Sequence, residues 1–158
     1  MTGHVVTRLT QQQIELPQAT VAVANYVPFV LSGNTLYISG QITVWNGDLR
    51  YQGKLGKSVS VDEGYQAARL CGLNLLAQLK SACGGDLDRV TRVIKLGGFV
   101  NCSPDFTDHP AVINGASDLM VDVFGDSGRH ARFAVGASGL PLGVAVEIDG
   151  TFEINKGD

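Results

Sequence analysis

Arg132 and Glu147 place a permanent planar cation and a carboxylate fifteen positions apart near the C-terminus. A guanidinium grips an anionic group through two parallel hydrogen bonds, and a carboxylate within hydrogen-bond reach can move a proton. The plainer reading is a cross-strand ion pair, worth about 0.2–1 kcal/mol if exposed. His130, two positions before Arg132, can act as acid, base or donor, or can simply solvate the start of its strand. Ser39 lies in no Gly-x-Ser-x-Gly elbow, so a strand hydroxyl bonded to backbone is favoured over a nucleophile. Tyr26 can stack or donate a hydrogen bond, and it fits equally well as a half-buried strand tyrosine.

Both stretches that carry the first pair read as strands. In residues 130–136, His130, Arg132, Ala134 and Gly136 share one face, while Ala131, Phe133, Val135 and Ala137 share the other. The second set is wholly apolar and is the expected core face. In residues 144–154, Val146, Ile148, Phe152 and Ile154 look inward and Glu147, Asp149 and Thr151 look away. Arg132 and Glu147 are therefore expected on the same side of a sheet, away from its packed face. The turn Gly139-Leu140-Pro141-Leu142-Gly143 joins the two stretches.

Upstream, a polar N-terminal segment precedes strands at 21–31 and 35–44, separated by Ser32-Gly33-Asn34. Asn46-Gly47 marks a type I′ hairpin leading to a short strand near 49–52. Ser60-Val61-Asp62-Glu63 is a capping box that starts a helix running to about Cys83, with Gly84 as its stop. A strand at 91–102 contains Gly97-Gly98, the mark of a bulge or a close backbone approach. Asp108 then caps a second helix with Pro110 in its first turn, ending at Phe124-Gly125. The order predicts an α+β fold: a mixed sheet with two helices on one face, in a single domain spanning 1–158.

At 158 residues the chain can bury roughly 70% of its unfolded surface in one core. Charged residues are only 17% of the chain, against about 25% in typical soluble domains, which hints at surface covered in an oligomer. The net charge of −3 and the scattered Lys and Arg argue against a nucleic-acid footprint. No apolar run is long enough to span a bilayer, and the N-terminus carries no signal-peptide pattern. Cys71 and Cys83 on one helix would lie about 18 Å apart, beyond the roughly 7 Å at which Cα atoms can be bridged. With Cys102 they fit buried thiols in a reducing cytoplasm. His4, His109 and His130 have no metal-ligand spacing, so no metal site is expected. Nor do the glycines form a phosphate loop.

Tyr26, Ile38-Ser39-Gly40-Gln41, Ala131-Arg132-x-x-Val135 leading to Leu140-Pro141, and Val146-Glu147-Ile148 together resemble the reactive-intermediate deaminase (YjgF-like) family. The resemblance extends from about Ala24 to Ile154. It implies a chorismate-mutase-like fold, a homotrimer, and a pocket at each subunit interface that hydrolyses 2-imino acids to 2-keto acids and ammonia without a cofactor. By position, Arg132 matches the arginine that grips the substrate carboxylate and Glu147 the acid that orients or activates water. Tyr26, Ser39 and Gly40 match residues that line the pocket.

Three departures stand out. Ala134 takes the place of a common cysteine, Ser117 that of an asparagine, and the segment between Asn101 and Ser117 is longer. With His130 before the Ala-Arg pair, these features resemble a side branch of the family. A protonated imine is already electrophilic, so an anchoring arginine and a carboxylate that handles water and proton suffice. A non-catalytic binder of small carboxylates or keto acids on the same trimer is the second reading. Ribonuclease activity, with which some relatives are labelled, suits the acidic balance least.

Overall fold

The structure, a computed structural model, describes residues 3–157. Its elements run in the order α1 His4–Gln11, β1 Phe29–Ser32, β2 Thr35–Gln41, β3 Val44–Trp45, β4 Asp48–Leu49, α2 Val61–Ala82, β5 Val90–Asn101, α3 His109–Phe124, β6 Ala131–Ala137 and β7 Val146–Ile154. Five strands form one sheet in the order β1-β2-β7-β5-β6, with β3 and β4 a separate small hairpin. Within the sheet, β5 and β6 pair in parallel, because α3 carries the chain back between them. The result is the expected mixed sheet of an α+β fold.

Local signals fix several boundaries as read from the sequence. The Glu63 N–H donates to Ser60 Oγ at 3.1 Å, and the Ser60 hydroxyl meets Glu63 Oε1 at 3.0 Å, so the capping box starts α2. Asn46 and Gly47 have φ of 49° and 90°, both left-handed, as a type I′ turn between β3 and β4 demands. The Gly97-Gly98 pair marks a close approach: a methyl group on Gly98 would lie 2.7 Å from Ile113 of α3. Asp108 stands at the start of α3 but makes no side-chain capping bond.

Three helices form instead of two. The polar N-terminal segment becomes α1 because Asp88, far along the chain, accepts the backbone N–H groups of His4 and Val5, each at 2.8 Å. Val5 is buried beneath it. No local sequence pattern announces a cap supplied from eighty residues away. The strand expected at 21–31 shrinks to β1, since Val21 and Val23 are 85% and 94% exposed and have no sheet face to pack on. Polar ties hold the preceding segment instead: Gln78 Nε2 donates to the Thr20 carbonyl at 2.8 Å, and the Gln18 N–H to Asn46 Oδ1 at 2.8 Å. The strand expected at 35–44 breaks after Gln41, following a register shift between Ile38 and Gln41.

Two further corrections concern the C-terminal strands. β6 and β7 are not neighbours: β5 lies between them, pairing Leu96 with Arg132 on one side and Gly150 on the other. The faces of β6 are also reversed. Arg132, Ala134 and Gly136 share the register rows of Leu96, Gly98 and Val100 and face the helices. Phe133 and Val135 face the open side, where Phe133 meets Phe99 edge-to-face at 5.3 Å. Glu147 sits in the row of Phe99 and so also faces the open side. Arg132 and Glu147 therefore occupy opposite faces of the sheet, two strands apart.

The core lies between the sheet and α2 and α3, filled by Leu75, Leu76, Leu79, Leu96, Ile113, Leu119, Met120, Ile148 and Phe152. Gly115 lets the two helices touch: a methyl group there would sit 1.9 Å from the Tyr65 carbonyl oxygen. Gly115→Ala is therefore expected to lower stability by about 1–3 kcal/mol, read as a reduced midpoint in urea unfolding. Gly139→Ala, which has nothing within 4 Å, should leave that midpoint close to wild type.

Candidate functional site: two half-sites on opposite faces

Arg132 reaches from the edge strand β6 to α3. Its Nη1 donates to Asn114 Oδ1 at 2.8 Å and to Ser117 Oγ at 3.0 Å, and its Nη2 to the Pro110 carbonyl at 3.3 Å. All three partners are neutral, so the positive charge is hydrogen-bonded but not neutralised. Five N–H groups are available on a guanidinium. Among the described residues, the Nε–H and one Nη2–H are left without a protein partner, and these can take an incoming carboxylate. Asn114 was not singled out from the sequence. It stands one turn before Ser117 on the same face of α3, and it supplies the amide that Ser117 lacks.

His130 closes this group. Its Nδ1 lies 2.6 Å from the Gly128 carbonyl, and its Nε2 lies 2.8 Å from Ser117 Oγ. Because a carbonyl only accepts, Nδ1 carries the proton; in the neutral ring Nε2 accepts from the Ser117 hydroxyl. Burial pushes the imidazole below its ordinary value of 6.5; the Gly128 hydrogen bond opposes this, and the charges of Arg132 and Arg92 add to it. Ser117, His130 and Arg132, with Asp118, Val121 and Arg129, line an open cleft of about 280 Å³. Ala134 follows Arg132 on the same face and packs against the core.

Glu147 belongs to a second group. Its carboxylate lies across Gly40, where a methyl group would come within 2.5 Å of Glu147 Oε1 and would displace it from this position. Burial raises the Glu147 carboxyl above its ordinary value, and neighbouring Asp149 raises it further. Ser39, Gly40 and Tyr26 line a recess of about 30 Å³ with Thr20, Pro28 and Gln41, roughly the room of one water. The Ser39 hydroxyl donates to the Val27 carbonyl at 2.8 Å, the backbone-tied state that its setting favoured. Tyr26 is exposed beside it.

The structure thus brings Arg132, Ser117 and His130 together, and Tyr26, Ser39, Gly40 and Glu147 together, but keeps the two sets apart; Ala134 shares the strand face of Arg132 without lining its cleft. The cross-strand ion pair does not form; Arg129 with Asp126, at 3.6 Å, is an ion pair on the surface. A larger cleft of about 390 Å³, lined by Cys102, Phe106, His109 and Gly136, lies further along β6 and has no charged side chain to hold an anion. Chemistry favours the smaller cleft. Among the described residues no three His, Cys, Asp or Glu side chains converge as a metal site requires, and no helix is long and apolar enough to cross a membrane.

A mixed sheet with helices packed on one face is the fold this chain shares with YjgF-like proteins. Residues 6–148 match the family described as "YjgF/chorismate mutase-like, putative endoribonuclease", and the chain belongs to that family. Protein TCP17 of Trypanosoma cruzi is 48% identical over 155 residues, covering 98% of this chain and 96% of its own. Atu1372 of Agrobacterium tumefaciens, a crystal structure of unknown function, has a TM-score of 0.90 at 48% identity, covering 96% of this chain and 92% of that one. TdcF of E. coli, solved with bound serine, has a TM-score of 0.64 at 25% identity, covering 90% and 98%.

The raised Glu147 pKa has a consequence for stability. The folded state holds this proton more tightly than the unfolded chain, so stability falls as pH rises from the ordinary value of 4.5 through the raised one. Glu147→Gln should remove that fall and give a higher melting temperature than wild type at neutral pH. His130 acts in the opposite sense: stability is lost as pH drops from 6.5 toward its depressed pKa. Melting curves between about pH 4 and 8 check both.

Proposed function

We propose that the protein hydrolyses 2-imino acids to 2-keto acids and ammonia, without a cofactor, in a pocket completed by a neighbouring copy of the chain. The observation that carries this reading is the pairing of a tethered, un-neutralised Arg132 in an open cleft with a Glu147 group set apart on the other face. Ligand sites commonly run from about 300 to 1,000 Å³. Neither the 280 Å³ cleft nor the 30 Å³ recess is enclosed enough alone, and each supplies what the other lacks.

Arg132 takes the carboxylate of the imino acid through its remaining N–H groups, which orients C2 of the substrate. Glu147 from the neighbouring copy, its pKa raised by burial, positions water and exchanges protons with it. Serine bound to TdcF is another small molecule with a carboxylate, which supports this class of ligand. The open face, where Tyr37, Phe99, Val135 and Ile94 are exposed, provides apolar surface for a homotrimer to cover. The free thiols of Cys71, Cys83 and Cys102 suit a reducing cytoplasm. The second reading, a carboxylate binder without turnover, draws on Ala134, which leaves the cleft without a thiol.

Ammonia release from imino acids generated in situ by an amino-acid oxidase tests the activity. It should be accelerated by wild type and abolished in Arg132→Ala and in Glu147→Gln. Co-refolding the two inactive variants tests the shared pocket. In a randomly assorted ring about a quarter of the sites regain an intact Arg132 opposite an intact Glu147, so activity should return to about that fraction. Failure of the mixture to recover activity would contradict a site shared between copies. Pyruvate binding to wild type with no turnover would establish the binder instead.

A further inference from the structure

We infer that Ser117 and His130 form a two-way proton relay on the Arg132 half of the site, first accepting a proton from the attacking water and then returning it to the departing nitrogen. This rests on the imine-hydrolase reading above and adds a catalytic residue and a positioning residue to it. The geometry has three parts: a hydroxyl, a base at 2.8 Å from it, and a backbone carbonyl at 2.6 Å that locks the base in one tautomer. Among the described residues, no other histidine is fixed at both ring nitrogens.

Arg132 gives the relay its direction. Its Nη1 donates to Ser117 Oγ at 3.0 Å and occupies one lone pair of the hydroxyl oxygen. When His130 is neutral, the Ser117 proton points to Nε2 and the second lone pair faces the cleft as an acceptor. When His130 is protonated, Nε2 becomes a donor, and the Ser117 O–H must swing outward to donate into the cleft. The ring's state thus sets whether Ser117 takes or gives a proton, 3.0 Å from the arginine that holds the substrate.

The atoms balance. Water attacks C2 of the protonated imine while one of its protons passes to Ser117 Oγ and the Ser117 proton passes to His130 Nε2, leaving a neutral carbinolamine. His130 then returns a proton through Ser117 to the amine nitrogen. The C–N bond breaks as ammonia leaves, and the carbinol hydroxyl gives up its proton to Glu147 or water as C=O forms. Groups facing His130 are Arg132 on its own strand, Arg92 of β5, whose Nη2 is bound to the Arg129 carbonyl, Arg129 itself, and Asp118 of α3. Asp118 is engaged by the Tyr65 hydroxyl at 2.7 Å. Burial first, and the charges of Arg132 and Arg92 after it, favour the neutral ring, the state in which the first transfer begins.

The pH dependence of kcat and KM for imino-acid hydrolysis tests this. In wild type, kcat should fall on the acid side as His130 is protonated. Ser117→Ala and His130→Gln should each lower kcat by about a hundredfold and lose that acid limb, with KM within about threefold. Ser117→Thr, which keeps the hydroxyl, should restore both. A KM increase at unchanged kcat in Ser117→Ala would overturn the relay and reduce Ser117 to a prop for Arg132. A second arm reads the imidazole nitrogens by NMR while wild-type protein is titrated with pyruvate. The ring should carry its proton on Nδ1, and pyruvate should raise its pKa in wild type but less in Ser117→Ala. A proton on Nε2 in the neutral ring, or a titration indifferent to pyruvate, would overturn the relay. If no imino acid is turned over, the reading of the reaction fails, and the relay stands or falls on the NMR arm.

Discussion

Arg132 places a permanent charge on the packed side of a sheet, and much of the local architecture follows from satisfying it. A guanidinium cannot be neutralised by losing its proton, so hydrogen-bond acceptors must be brought to it. They come from about two turns of α3: the Pro110 carbonyl, Asn114 and Ser117. That demand fixes the rotation of α3 about its axis, and Gly98 and Gly115 allow the helix to sit close enough, against the sheet and against α2. His130 then joins through Ser117, at the point where the chain enters β6. A cation on an edge strand can be held this way and still keep one side toward solvent.

Signals that act within a few residues were legible in the sequence. The capping box of Ser60 and Glu63, the Asn46-Gly47 turn and the Pro110 start of α3 each depend on neighbours in the chain, and each stands where expected. What depended on distant partners was not. The helix α1 needs the Asp88 carboxylate, and β1 begins late because Val21 and Val23 find no surface to pack on. The faces of β6 failed for a more instructive reason. Alternation says which residues share a side, but the choice of the inner side rests on the assumption that apolar residues face the core. At an edge strand opposite a polar helix face, that assumption inverts.

The candidate site was legible as two sets of residues and not as a constellation. Arg132 and Glu147 were both found from their types, yet placing β6 beside β7 put them on one face. The order β7-β5-β6 separates them, since a parallel β5–β6 pair needs the α3 crossover and leaves β7 on the far side of β5. Asn114 escaped notice because a helix surface amide carries no signature of its own. The i, i+3 spacing to Ser117 becomes meaningful only once Arg132 is seen to reach both.

Opposite faces also constrain how a shared site can form. A contact that joins the Arg132 face of one copy to the Glu147 face of another uses two different surfaces, so it is heterologous, and such a contact must close into a ring or grow without limit. In a closed ring each copy gives its arginine group to one neighbour and its glutamate group to the other, so sites and subunits are equal in number. On the proposed reading, such a ring would cover the exposed Tyr37, Phe99 and Val135 of the open face. Separating Arg132 from Glu147 in this way also keeps the two from pairing. Had the sheet placed Arg132 beside Glu147, the two charges would have offset each other; on opposite faces, the guanidinium stays un-neutralised and the glutamate keeps its raised pKa.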